Sequence, residues 1–327
     1  MSERKFKDWV DQSRLAPSVH NVQPARWRIE AEALVLIEDV SRRLKVGDPS
    51  CHDTGISLGA AFEGLRLAAS QDGFELVPDD SAPLPAFEAP LRAVRRFLVR
   101  GGGSPDPLAG FVTARASWRG AFAAPLREDR SALEAAAGTD AKVVTDLAVL
   151  KALAQRYDAA SFGFMRDTAY RDELRGWMRF QASDPNWGRD GLNAAAMALS
   201  PFEARAASLI LGPAFKPLNR LGLAASLVAE GDKIRKAAGV ILFHRERDES
   251  PFESGRYFYR LWLKLELLGF GAAVLAALAD DRDAARDLCS TYGIGPERRL
   301  VSAFRVGRLG AKQPAPRARL PLNEILV

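Results

Sequence analysis

Two stretches of this chain repeat one another without a gap. Ala61 to Phe74, AFEGLRLAASQDGF, aligns with Tyr257 to Phe270, YFYRLWLKLELLGF. Phe62, Leu65, Leu67, Gly73 and Phe74 meet Phe258, Leu261, Leu263, Gly269 and Phe270, each pair 196 residues apart. Apolar residues fall on every side of both stretches, so each predicts a helix that must be buried, and the closing glycine suits a left-handed C-cap. Strand-like sequence follows each helix, weakly at Glu75–Val77 and clearly, after an intervening helix, at Leu300–Val306. The pattern predicts two copies of one unit, with two unrelated core helices as the alternative.

The 327 residues, 47% of them hydrophobic, suffice for two such units and exclude disorder or a small disulfide scaffold. Cys51 and Cys289 are the two cysteines, too few for a disulfide framework or a zinc cage, and their scarcity fits a reducing compartment. The start, MSERKFKDWVDQSR, leads into no apolar run of the secretory kind, and no segment approaches twenty uncharged apolar residues. A soluble cytoplasmic protein without a membrane partner is expected. A net charge of +5 is modest for this length and does not by itself call for nucleic acid.

Along the first half the pattern predicts a helix at Lys5–Leu15, a hairpin of Trp27–Glu30 with Leu34–Asp39, the central helix from about Asp53, and a strand at Val94–Arg100. Four prolines in Pro78–Pro90 and the run Gly101-Gly102-Gly103 mark loops, and the glycines lack the Lys-Ser/Thr ending of a phosphate loop. In the second half, Ser131-Ala-Leu-Glu134 reads as a capping box, Lys142–Thr145 as a strand, and a long helix runs through Tyr157. From Arg166 to about Gly231 the pattern is helical, broken by prolines, and has no counterpart in the first half. Val240–His244, the second central helix, a helix at Asp283–Tyr292 and the strand Leu300–Val306 complete the series.

Chemistry has few candidates, because His20, His52 and His244 are the only histidines. Cys51-His52-Asp53 precedes a helix and reads as a capping region. Gly269-Phe-Gly271 follows a helix where a dinucleotide fingerprint needs a strand. Three polar segments remain. Ala16-Pro17-Ser18-Val19-His20-Asn21-Val22-Gln23-Pro24 is a proline-bounded turn whose side chains and free amides could meet a flat heteroaromatic ring. Arg115-Ala-Ser117-Trp-Arg119 sets three donors on alternate residues, able to converge on one oxyanion. Arg317-Ala-Arg319 repeats that spacing before Leu320-Pro321. Each has a plain alternative as a helix-terminating loop or a solvated basic stretch.

Together, the three segments resemble the FMN-dependent nitroreductase superfamily, with its A-P-S-x-x-N-x-Q-P-W loop, its R-x-S-x-R/K motif and its carboxyl-terminal basic motif, here Arg317-x-Arg319-Leu-Pro-Leu-x-Glu324. Ordinary members carry the phosphate motif first; the reversed order here is similar to the Acg-like branch, in which two units are fused. Asp48-Pro49 and Ile56-Ser57-x-Gly59-Ala60-Ala61 through Leu65-Arg66-Leu67-Ala68 resemble that branch's signature. Two departures stand out: Ala25 replaces the family tryptophan, with Trp27 two residues on, and Val274-Leu275-Ala276-Ala277 replaces a Pro and Gly or Glu pattern.

The resemblance implies an α+β fold of two fused units, 1–110 and 111–327, with mixed or mostly antiparallel sheets and central helices, forming an intramolecular pseudo-dimer under a lid at about 166–231. It implies FMN as cofactor, with Arg115, Ser117, Arg119, Arg317 and Arg319 on its phosphate, Pro17, Ser18, Val19 and Asn21 along its ring, and backbone amides of Leu275, Ala276 and Ala277 beside it. NAD(P)H and a nitroaromatic, quinone or similar small acceptor would be the partners of a monomer or homodimer. No acid-base residue and no metal site are implied. The alternative is a lid-closed flavin-binding or stress protein without turnover; nucleic-acid binding is the remote third reading.

Overall fold

The computed structural model describes residues 3–310 and 314–327. Helix α1 (Glu3–Ser13) leads through a 3-10 turn (Val19–Asn21) into strands β1 (Ala25–Ile29) and β2 (Ala33–Asp39). Helix α2 (His52–Gln71), β3 (Phe74–Pro78) and β4 (Leu91–Gly101) follow. After a further 3-10 turn at Val40–Arg42, a third (Pro107–Phe111) precedes α3 (Asp129–Ala137), β5 (Ala141–Val144) and α4 (Leu147–Arg166). The next region holds α5 (Thr168–Gly176), the two-residue strands β6 (Met178–Arg179) and β7 (Leu192–Asn193), α6 (Pro201–Leu211), α7 (Phe215–Arg220), α8 (Ala224–Val228) and α9 (Gly231–Arg235). The chain closes with β8 (Gly239–Glu246), α10 (Pro251–Leu267), β9 (Phe270–Val274), α11 (Ala277–Asp280), α12 (Arg282–Thr291), β10 (Arg298–Arg308) and α13 (Leu322–Ile325).

The architecture is α+β. Two four-stranded sheets run β1-β2-β4-β3 and β5-β8-β10-β9, and every neighbouring pair in both is antiparallel. The two orders match strand for strand. β3 and β9 also match in length and lie 196 residues apart at both ends, the spacing of the helical repeat. β2 and β8 are almost wholly buried, as the inner strands of sheets covered on both faces must be.

Between the sheets, α2 and α10 cross at extremely short range. A Cβ built on Gly59 would collide with the carbonyl oxygen of Phe252, and one built on Gly255 with that of Ile56. Gly59 and Gly255 are repeat equivalents, as are Ile56 and Phe252. The contact is therefore reciprocal, the form that a two-fold interface takes. Phe258, Leu261, Trp262 and Leu265 of α10 join the second sheet's core, while Leu58, Phe62 and Leu65 of α2 join the first.

Several local expectations change. The capping box at Ser131 is absent: α3 starts earlier, at Asp129, whose buried carboxylate takes the Leu126 N–H and the Arg308 guanidinium. Ser131 instead donates to the Glu128 carbonyl. A capping box does occur at Ser200 and Glu203. Asp48, rather than Asp53 or Thr54, caps α2, accepting from the amide and hydroxyl of Thr54. The strand after the second central helix is β9 itself, hidden in the sequence by its small residues. Residues 177–200 are not helical, because Asp184-Pro185, Gly188 and Gly191 turn the chain there.

Gly59→Ala and Gly255→Ala should each destabilise by about 2–3 kcal/mol, since backbone on the facing helix must move. Gly163→Ala, in an exposed stretch of α4 with open space around it, should stabilise by about 0.5–1 kcal/mol. Chemical denaturation of the three variants checks the contrast.

Candidate functional site

A cavity of about 340 Å³ opens where the two sheets, the helical region after α4 and the carboxyl-terminal tail meet. All twelve sequence-predicted residues line it: Pro17, Ser18, Val19, Asn21, Arg115, Ser117, Arg119, Leu275, Ala276, Ala277, Arg317 and Arg319. They come from four stretches separated by most of the chain.

The turn after α1 is strained and firmly held. His20, Asn21 and Gln23 all have positive φ, 43°, 57° and 53°. Such backbone costs energy in non-glycine residues and persists only where neighbours impose it. Here the Val19 amide donates to Ser57 Oγ (3.2 Å) and the Gln23 amide to Ser18 Oγ (3.0 Å). Asn21 Nδ2 donates to the carbonyls of Gly191 (3.0 Å) and Ala318 (3.1 Å), and its Oδ1 accepts from Arg319 (2.8 Å). Asn21 is thus a brace tying the turn to the tail, with its amide group committed to protein partners.

Arg115, Arg317 and Arg319 converge at one end of the cavity. Arg115 and Arg319 both donate to the Leu15 carbonyl, at 2.9 and 3.0 Å, just beyond the end of α1. Arg317 donates to the carbonyls of Val112 (3.3 Å) and Arg115 (2.9 Å). Arg115 also lies over the Trp262 ring, 4.6 Å from its centroid. Carbonyls orient these guanidinia without neutralising them. No carboxylate comes within ion-pair distance of the three among the described residues, and the Nε atoms of Arg115 and Arg319 are buried without a partner. Burial and the charges of Arg115 and Arg317 draw the Arg319 pKa down to about 9. Burial also pushes the nearby Glu266 carboxyl up. The cluster leaves more than one positive charge without a paired carboxylate at this end of the cavity, an arrangement able to receive an anion.

Arg119 stands with a different group. Its electrostatic neighbours are Glu230 and Tyr157, which it shares with Arg305, not the other three arginines. Arg305 is buried and donates to the carbonyls of Trp118 (3.0 Å) and Gly120 (3.2 Å), so it pins the R-x-S-x-R segment while lining the cavity. Burial lowers its pKa to about 10. The segment is held from the other side by the Trp118 amide, which donates to Ala272 of β9 (2.8 Å). His20 is neutral at pH 7, its pKa brought to about 4 by burial and by Arg119.

The stretch after β9 behaves in part as the sequence implied. The Leu275 amide is already taken by the Ala303 carbonyl at 2.7 Å, so it cannot face a ligand. The amides of Ala276 and Ala277, at the start of α11, have no acceptor among the described residues. Trp27 is fully buried in the first sheet's core and does not stand in at the cavity for the missing tryptophan.

Sequence reasoning missed Arg305, Tyr157, Asp53 and Asp280, which also line the cavity. Arg305 left a readable signal, a lone cation in the apolar run Val301–Val306. The two aspartates left none, since Asp53 and Asp280 become neighbours at the cavity only through the fold. Burial, then the charges of Asp280 and Asp48, raises the Asp53 pKa, and burial with Asp48 raises that of Asp280 to about 7. Asp280 is open to the cavity yet ringed by protein. The arrangement can hold a ligand with a dianionic end and a flat body over Phe258, Trp262 and Val301.

No protein-family model matches the chain, and no curated protein does. Among solved structures it is similar to a nitroreductase with bound FMN from Bacteroides fragilis, at 12% identity and TM-score 0.36 over 63% of this chain and 90% of that one. It is similar to the FMN-dependent nitroreductase NfnB from Mycobacterium smegmatis in complex with NADPH, at 16% identity and TM-score 0.38 over 65% and 93%. A putative nitroreductase from Anabaena variabilis aligns over 85% of this chain and 69% of its own, at 12% identity and TM-score 0.38. Likeness this distant leaves the site to be argued from its own residues.

Two outcomes follow from the geometry. Asn21→Ala should destabilise by about 2 kcal/mol, because three partners lose their bonds at once. For Asp280, a carboxyl whose folded pKa lies above its unfolded value binds its proton more tightly when folded. Its contribution is most favourable below about pH 4 and is lost as pH rises to about 7. Denaturant titrations between those limits should show stability falling with pH, and falling less in Asp280→Asn.

Proposed function

We propose that this chain is an FMN-dependent oxidoreductase of the nitroreductase type, passing electrons from NAD(P)H to a nitroaromatic, quinone or similar small acceptor. One observation carries the reading: three guanidinia from two distant stretches meet at the end of a ligand-sized cavity with no carboxylate at ion-pair distance among the described residues. A phosphate dianion answers that charge, and the orphaned Nε atoms of Arg115 and Arg319 supply unused donors. Arg115, Arg317 and Arg319, with Ser117, would hold the phosphate. Pro17, Ser18 and Val19 would lie along the ring, with Asn21 bracing them. Arg119 and Arg305 would face it from beyond the phosphate site.

When bound, FMN supplies the hydride and electron chemistry. The protein's part is to bind, orient and exclude water. Arg119 and Arg305 set positive charge at one wall, the Ala276 and Ala277 amides offer donors at another, and Tyr157, Phe164 and Met165 of α4 close the cavity above. In this reading the repeated sheets belong to two fused units, 1–110 and 111–327, working as an intramolecular pseudo-dimer. Residues 166–231 serve as the lid. The chain acts in the cytoplasm as a monomer or a homodimer.

The purified protein should show the visible absorbance of flavin or acquire it on adding FMN, and should bind FMN in preference to riboflavin, which lacks the phosphate. Arg317→Ala, which removes a guanidinium held only by the carbonyls of residues 112, 113 and 115, should weaken FMN by about tenfold or more while leaving riboflavin nearly unchanged, given about 1.5–3 kcal/mol for a charge-assisted hydrogen bond. Failure to take up any flavin would overturn the proposal.

A further inference from the structure

Helix α6 carries large apolar side chains on its outer face as well as apolar ones on its inner face. Phe202, Arg205 and Leu209 share its outward face, and Ala204 and Leu211 lie opposite and are buried. The trend continues through α7 and α8. Between residues 212 and 230 only Phe215 and Ala224 are buried, Phe215 beneath Arg171 at 4.0 Å. Phe202 is 81% exposed, Leu221 71%, Leu209 56%, Leu227 50% and Leu223 48%. Apolar side chains gathered this way on a surface mark an interaction face.

Charge selects the partner. The one acid of α6–α8, Glu203, is turned back onto the Ser200 amide at the start of α6, and none lies between Ala204 and Ala229, whereas Arg205, Lys216 and Arg220 do. Among the described residues none of the three makes an ion pair; the flanking pairs along the chain are Arg189 with Glu324 and Lys233 with Glu230. A second copy of the chain packed on this face by a two-fold axis would set these cations against themselves. Exposed Phe and Leu interleaved with unpaired Arg and Lys fit a surface that is apolar beneath and anionic above.

We propose that the outer face of α6–α8 docks flat on an anionic lipid surface. This is docking without crossing: no helix among the described residues is long and apolar enough to span a bilayer. It departs from the expectation of no membrane partner, and it does not depend on which ligand fills the cavity. Helix α8 packs on α4, whose Tyr157, Ser161, Phe164 and Met165 line that cavity, so the docking face is the outside of its cover.

Vesicle flotation of the full chain tests this, with phosphatidylcholine alone or mixed with phosphatidylglycerol. The protein should float with the mixed vesicles about tenfold or more better than with the neutral ones, and rising salt should release it. Phe202→Ser/Leu221→Ser/Leu227→Ser should abolish flotation, and so should Arg205→Glu/Lys216→Glu/Arg220→Glu, both with wild-type circular dichroism and melting. Absence of flotation on mixed vesicles, or equal flotation by either folded variant, would refute lipid docking. So would a concentration-dependent dimer that the serine variant dissolves while vesicles capture nothing.

Discussion

The close crossing of α2 and α10 is the constraint on which the rest depends. Without side chains at Gly59 and Gly255, the backbone of each helix reaches the carbonyl of the other. That proximity leaves no room for an intervening layer, so the two sheets must pack on the outer sides of one helix pair. Each helix is apolar all round because one side meets its own sheet and another meets its partner. Gly64 continues the close packing, where an added Cβ would meet the α1 backbone at Ser13.

Once the helices are fixed, the cavity follows from what their ends bring together. Ile56, Ser57 and Asp53 at the start of α2 and Phe258 and Trp262 of α10 supply parts of its wall. The tail then crosses back to the first half. Leu320 and Ile325 enter the first sheet's core, and the Val327 amide donates to the Trp27 carbonyl at 2.9 Å. This anchoring positions Arg317 and Arg319 against Arg115 from a point some 200 residues further along the chain. The tail therefore contributes to the core and to the site at once, and a change in either reaches the other.

Much of this was legible because repeats and motifs are local. The helical repeat, the hairpin and the three arginine- or proline-marked segments are each readable within a short window, and the nine residues nominated in those segments all line one cavity. What escaped is non-local. Asp53 and Asp280 become neighbours only through packing. The amide of Leu275 looks available until β10 supplies Ala303. Arg119 matches the spacing of its motif, but the Arg305 beside it comes from the centre of a distant strand. Even β9, spaced as the repeat demands, was masked by glycine and alanine, whose strand conformation is imposed by pairing with β10.

The repeat also sharpens the meaning of the uncompensated arginines. Glu63 of α2 and Tyr259 of α10 occupy equivalent places, 196 residues apart. Glu63 is fully buried and receives Arg66, Arg256 and Arg260, with Asp106 shared between Arg66 and Arg260. On that side of the helix pair, the buried carboxylate comes with its own half-buried cations, as the cost of unpaired buried charge requires. On the other side Tyr259 replaces the glutamate, and the guanidinium of Arg115 lies 5.7 Å from its ring with no carboxylate within ion-pair distance among the described residues. One fold thus contains both solutions to the same electrostatic problem. Neutralisation from within belongs to one side of the helix pair, and uncompensated charge to the side that opens into the cavity.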